Sequence, residues 1–151
     1  MRKNSVKLII LAVILGLWLI SAGTNGILNL LLTIPGVLIA LTFHEFAHAN
    51  AADKLGDDTP RRQGRLSLNP MDHVDPLGIL MLMFVHVGWG KPVQVNPRNY
   101  DRRFSMEKAD AIVSIAGPLM NFALAIIFTL IYCAIYKFNV EFIYTQMGQI
   151  A

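Results

Sequence analysis

Apolar residues run along this chain in long blocks rather than in the every-second-residue alternation of a half-buried strand, which predicts helices with apolar surroundings. The first block, residues 8–20, follows Arg2, Lys3 and Lys7 and leads into Ser21, Ala22 and Gly23. That order resembles a secretory signal. Three more apolar stretches follow it, however, so it is read as a retained anchor helix over 8–22. Asn25 and Gly26 then give a turn signal. A second helix is predicted over 27–55, kinked by Pro35 or beginning its ordered turns there, and ended by Gly56 as a C-cap residue.

The next apolar segment, PLGILMLMFVHVGWG over 76–90, has about eleven apolar residues in its core, whereas a spanning helix needs about twenty. Asp75 before Pro76 supplies an N-cap followed by a favoured first helical residue. A re-entrant segment or short buried helix is expected. The last helix is predicted over 105–136, capped by Ser105, with an interior Gly117-Pro118 of the kind membrane helices tolerate. The expected fold class is an all-α polytopic membrane protein, with about three transmembrane helices plus the short segment, forming one domain over 1–151.

Composition agrees with that setting: 54% of the residues are apolar, 15% are charged, and the mean hydropathy is +0.49. A soluble domain carries about a quarter charged residues. The single cysteine, Cys133, rules out a disulfide framework within the 151 residues and sits in an apolar run as a small hydrophobe.

Charge then orients the chain. Lys and Arg gather in the N-terminal tail, around Lys54, Arg61, Arg62 and Arg65, and around Lys91, Arg98, Arg102, Arg103 and Lys108. By the positive-inside rule all three are cytoplasmic, so the segment between the last two enters the membrane and returns. This bias also accounts for a pI near 9.2 without a nucleic-acid partner, and no phosphate-binding loop or dinucleotide fingerprint is present. An integral protein of a prokaryotic cell membrane is expected, with the lipid bilayer as its surroundings.

Candidate chemistry lies where polar groups are most costly. The stretch FHEFAHA places His44 and His48 one helical turn apart, with Glu45 between them, at the end of an apolar run. In a helical H-E-x-x-H two imidazoles hold zinc and the glutamate acts as general base in peptide hydrolysis. His44 lies about 15 Å along the axis from Lys54, which puts the site at membrane depth and requires a protein-walled aqueous cavity.

Four ordered motifs, FHEFAHA, RRQGRLSLNPMDHVDPLG, GWGKPVQVNPRNY and AGPLMN, together resemble the site-2 protease family of intramembrane zinc metalloproteases, in a compact prokaryotic form. The resemblance covers roughly residues 34–128. It implies Zn²⁺ held by His44 and His48, Glu45 as catalytic base, and Asn121 as a catalytic amide that orients substrate or stabilises a developing oxyanion. An interhelical hydrogen bond is the structural alternative for Asn121. The substrate implied is a transmembrane helix of another membrane protein, unwound locally to expose its scissile carbonyl. PVQVNP, from Pro92, is either a short edge strand that could hold such a substrate or an irregular interfacial loop.

The family's third ligand is an aspartate of an Asp-Gly motif, and no Asp-Gly pair occurs in these 151 residues. The expectation is a reading frame that continues past Ala151 into a further apolar segment carrying that pair. His73, Asp72 and Asp75 are the candidates within the chain, and His86 could also approach. Asp75 alternatively caps a helix, Asp72 is a solvated loop charge, His73 supports the ligands from behind or sits at the interface, and His86 packs among apolar residues. The alternative function is a non-catalytic membrane protein that binds a metal or a helix, for which Glu45 has no purpose.

Orientation has a direct test. With Cys133 replaced, single cysteines introduced beside Arg62 and beside Arg102 should both resist an impermeant thiol reagent added outside intact cells. Labelling at only one of them would mean that 76–90 crosses the membrane.

Overall fold

A computed structural model of the chain describes residues 2–85 and 87–148, and the regular elements among them are all helical. They are α1 (Arg2–Lys54), α2 (Thr59–Arg62), α3 (Pro76–Val85) and α4 (Met106–Gly148), with 3-10 turns at Pro70–Asp72 and Pro97–Asn99. His86 lies outside the described residues.

The two helices expected over 8–22 and 27–55 are one helical run with a break at Gly23, whose φ of 60° and ψ of −175° leave helical space. Only glycine enters that region without steric cost. Asn25 and Gly26, the expected turn, stay helical. Pro35 also stays inside α1. At the other end of the chain α4 continues past residue 136 to Gly148, because no proline or glycine interrupts 137–147 and Lys137 pairs with Glu141 one turn on, at 3.9 Å.

Among the described residues, two helices are long and apolar enough to cross a bilayer, Leu31–Lys54 and Met106–Glu141. Large apolar side chains such as Phe122, Leu130 and Ile135 point outward from α4, as lipid-facing positions do.

The chain divides into two compact units, Met1–Thr42 with Asn69–Pro92, and Phe43–Leu68 with Val93–Ala151. In the first, Asp75 caps α3 as its sequence position requires, its Oδ1 accepting from Leu77 N at 2.8 Å and from Gly78 N at 3.2 Å. The ten residues of α3 rise about 15 Å, half the thickness of a bilayer's hydrocarbon. The chain then folds back. Val74 and Gly90 form an antiparallel bridge, and Lys91 N donates to His73 O at 2.7 Å, so the segment ends beside where it began. Gly78 makes this return possible, since a Cβ there would overlap the Trp89 carbonyl.

The second unit is built on small residues. Ala52, Leu55, Tyr100, Ala109 and Val113 form its core, with Ala51 and Val95 packed against it. Gly56 ends α1 at φ +103°, and the loop after the second 3-10 turn passes close enough that a Cβ would sit 3.1 Å from Asn99 O. Tyr100 donates to Asp110 Oδ1 at 3.2 Å, and burial together with the Asp110 charge pushes its hydroxyl up to about 12.

Asp57, fully buried, organises the loops around this core. Its carboxylate accepts from Thr59 N at 3.1 Å, from the Thr59 hydroxyl, from Asn96 N at 2.6 Å and from Asn99 Nδ2 at 2.9 Å. Burial alone would raise the Asp57 carboxyl, but these donors outweigh it and hold the group below its ordinary value of 3.8. A depressed folded value means that this stabilisation is complete above the ordinary value and is lost as pH falls through the lower, folded one. Replacing Asp57 by alanine should therefore cost about 1–3 kcal/mol near neutral pH and flatten the acid limb of stability below about pH 4, measured by thermal unfolding in detergent across pH.

Candidate metal centre

His44 and His48 sit one turn apart on α1 within the second unit, and their rings meet edge to face with centroids 4.7 Å apart. Their Nε2 atoms face each other at 3.1 Å. Two nitrogens bound to one tetrahedral zinc at about 2.05 Å lie about 3.3 Å apart. The pair therefore already has nearly the separation that a shared zinc would impose.

The opposite nitrogens are held by α4. His48 Nδ1 contacts Val113 O at 2.6 Å, and His44 Nδ1 contacts Asn121 Nδ2 at 3.1 Å. Val113, Gly117 and Asn121 recur every fourth residue, so they share one face of α4, opposite the matching pair on α1. Gly117, between them, is what admits the rings. A Cβ there would overlap His48 Nε2 and lie 2.7 Å from His44 Nε2. Because a carbonyl can only accept, His48 carries its hydrogen on Nδ1 and turns the Nε2 lone pair toward His44. A ligating histidine is oriented by a backbone carbonyl in this way.

Glu45 leaves the helix on a different heading. Its Oε2 accepts a hydrogen bond from Val93 N at 2.9 Å, which holds the carboxylate through a backbone group. Val93 belongs to PVQVNP, and no strand forms there among the described residues. Instead, two N–H groups of that stretch end on carboxylates, Val93 on Glu45 and Asn96 on Asp57.

The remaining candidates are described within their own unit. Asp72, His73 and Asp75 belong to the first unit, where Asp75 is occupied as the α3 cap, His73 is buried and Asp72 lies in a 3-10 turn. Among the described residues no three His, Cys, Asp or Glu side chains gather as a set of metal ligands. The histidine pair supplies two nitrogen donors suited to zinc.

Three features of the site escaped the sequence reading: the Val113 carbonyl, the Val93 N–H and the space at Gly117. The first two are main-chain groups that any residue type could supply. The third carried a signal, since a glycine one turn before Asn121 on an apolar helix invites the question of what approaches it.

Comparison with known proteins places relatives beside this geometry. Over 91 residues the chain is 44% identical to "Putative zinc metalloprotease YwhC" of Bacillus subtilis (strain 168), a match covering 60% of this chain and 40% of that protein. Over 100 residues it is 34% identical to "Putative zinc metalloprotease Rip2" of Mycolicibacterium smegmatis (strain ATCC 700084 / mc(2)155), covering 64% of this chain and 38% of the relative. The Rip2 of Mycobacterium tuberculosis (strain ATCC 25618 / H37Rv) is 36% identical over 100 residues, with the same coverage of 64% and 38%. The matched part thus spans about two fifths of the length of these curated relatives. No family model and no solved structure matches the chain.

Gly117→Ala tests the cradle. Alanine favours a helix over glycine by about 1 kcal/mol, so α4 should hold while the imidazoles are pushed apart. Zinc retained after purification should fall sharply, with helical content by circular dichroism unchanged.

Proposed function

We propose that this chain, whose relatives are members of the site-2 protease family, forms the H-E-x-x-H part of an intramembrane zinc metalloprotease that hydrolyses peptide bonds in or near the transmembrane helices of membrane-protein substrates. One observation carries the reading: His44 and His48 turn their Nε2 atoms to a common point, 3.1 Å apart, on a helix apolar enough to span a bilayer. Polar groups are kept at such a place only for function. The names of the relatives support zinc and peptide hydrolysis at that point.

Zinc, when bound, would lower the pKa of its water toward about 7 and polarise the scissile carbonyl. His44 and His48 would hold it. Glu45 is the base: with Oε2 tied to Val93 N, its other oxygen accepts the proton that the attacking water gives up, then returns it to the departing amine. Water adds across the C–N bond and the glutamate ends as it began. A helical substrate must unwind first, because its carbonyls are already hydrogen-bonded within the helix. The membrane in question is a prokaryotic cell membrane, with the N-terminus and the basic loops in the cytoplasm.

Three variants of the full-length protein in detergent separate the roles. His44→Ala and His48→Ala should each lose bound zinc, measured by elemental analysis, whereas Glu45→Gln should keep zinc and lose cleavage of a membrane-protein substrate. Full zinc occupancy in a His44→Ala, His48→Ala double variant would overturn the metal site. Undiminished cleavage by Glu45→Gln would remove the base, and zinc binding without any cleavage by the wild type would favour the non-catalytic binding protein.

A further inference from the structure

The hydrogen bonds linking Val113, His48, His44 and Asn121 form a chain whose donors can be counted from one fixed end. Val113 O accepts, so His48 Nδ1 donates and His48 Nε2, in a neutral ring, is an acceptor. The atom facing it at 3.1 Å, His44 Nε2, must then carry a hydrogen. That leaves His44 Nδ1 as an acceptor, and it is met by a donor, Asn121 Nδ2, at 3.1 Å. Every link then has one hydrogen, and the Gly117 backbone carbonyl stands as a further acceptor beside His44. The other end of the same amide, Asn121 Oδ1, is buried with no hydrogen-bond partner among the described residues.

Zinc coordination, on which this inference rests through the function proposed above, asks for a different distribution. A ligating Nε2 offers its lone pair, so the hydrogen of His44 must move to Nδ1. His48 needs no change. At His44 the Nδ2 of Asn121 would then oppose an N–H, donor against donor. A carboxamide resolves this conflict because a half turn about its last side-chain bond exchanges a donor for an acceptor at nearly the same position.

We infer that Asn121 is a positioning residue that sets the tautomer of His44: its amide turns to present Oδ1 to Nδ1–H when Nε2 holds zinc, and Nδ2 to Nδ1 otherwise. The hydrogen of His44 moves between its two ring nitrogens, and the amide turns with it. Both arrangements use the place on α4 that faces His44, one turn beyond Gly117.

Zinc affinity of the full-length protein, measured by competition with a chelating dye, provides the test. Asn121→Leu keeps the shape and removes both hydrogen-bonding ends, and should weaken zinc binding roughly 10–100-fold, the usual consequence of losing a ligand's outer partner. Asn121→Asp can always accept from Nδ1–H, and should bind zinc at least as tightly as wild type. In ¹⁵N spectra of the histidine rings, adding zinc to the wild type should move the hydrogen of His44 from Nε2 to Nδ1 while the His48 tautomer stays as it was. Wild-type zinc affinity in Asn121→Leu, or an Asn121→Asp variant as weak as Asn121→Leu, would overturn the inference and assign Asn121 to the substrate alone. Failure of the zinc reading itself is a separate outcome, seen as equal zinc binding by wild type and His44→Ala.

Discussion

A partly buried imidazole on an apolar helix has two ring nitrogens, and each needs a partner. Giving the inward nitrogens of His44 and His48 to a common point obliges something else to satisfy the outward ones. That requirement fixes how α4 must lie. A helix that brings a carbonyl and an amide two turns apart on one face, with no side chain at the position between them, meets both rings, and Val113, Gly117 and Asn121 do so. The alanines along the second unit follow from the same need, because small residues let two helices approach closely enough for ring-to-backbone hydrogen bonds.

The loops answer a related problem. Asp57 is buried and Glu45 partly so, and each carboxylate is matched by N–H groups from the 93–99 stretch. The stretch therefore has its course determined by two anion sites and by the close pass at Gly56. Its alternating sequence, which reads as a short strand, has a different use here: Val95 packs on the core, while Gln94 bonds Gln63 across the surface at 3.2 Å.

What the sequence disclosed was local. Residue spacing gave the shared face of His44 and His48, the Asp75 cap on α3 and the glycine stop at Gly56, because each depends on residues within a turn or so of one another. The partners of the histidines lie 65 and 77 residues away and are in part main-chain atoms, so no residue pattern announces them. The break in α1 shows the limit of local rules as well. Asn25-Gly26 is the stronger turn signal, yet a lone glycine at 23 takes the left-handed backbone, since a helix needs only one residue to interrupt it. The motifs carried more than composition could, and the likeness to proteins named putative zinc metalloproteases extends over 91 residues in one case and 100 in another.

The matched spacing of α1 and α4 has a mechanical side. Because only two histidines and three positions of α4 take part, a slip of one turn, about 6 Å, would leave at least one ring without its partner. Intermediate offsets would drive the wall of α4 beside Gly117 into the rings and strand their outer nitrogens. Stretching or thinning of the surrounding bilayer pulls on apolar helices by fractions of a kcal/mol per ångström. Such a pull acts against both rings together, since sliding α4 along α1 would lengthen the Val113 and Asn121 contacts at the same time.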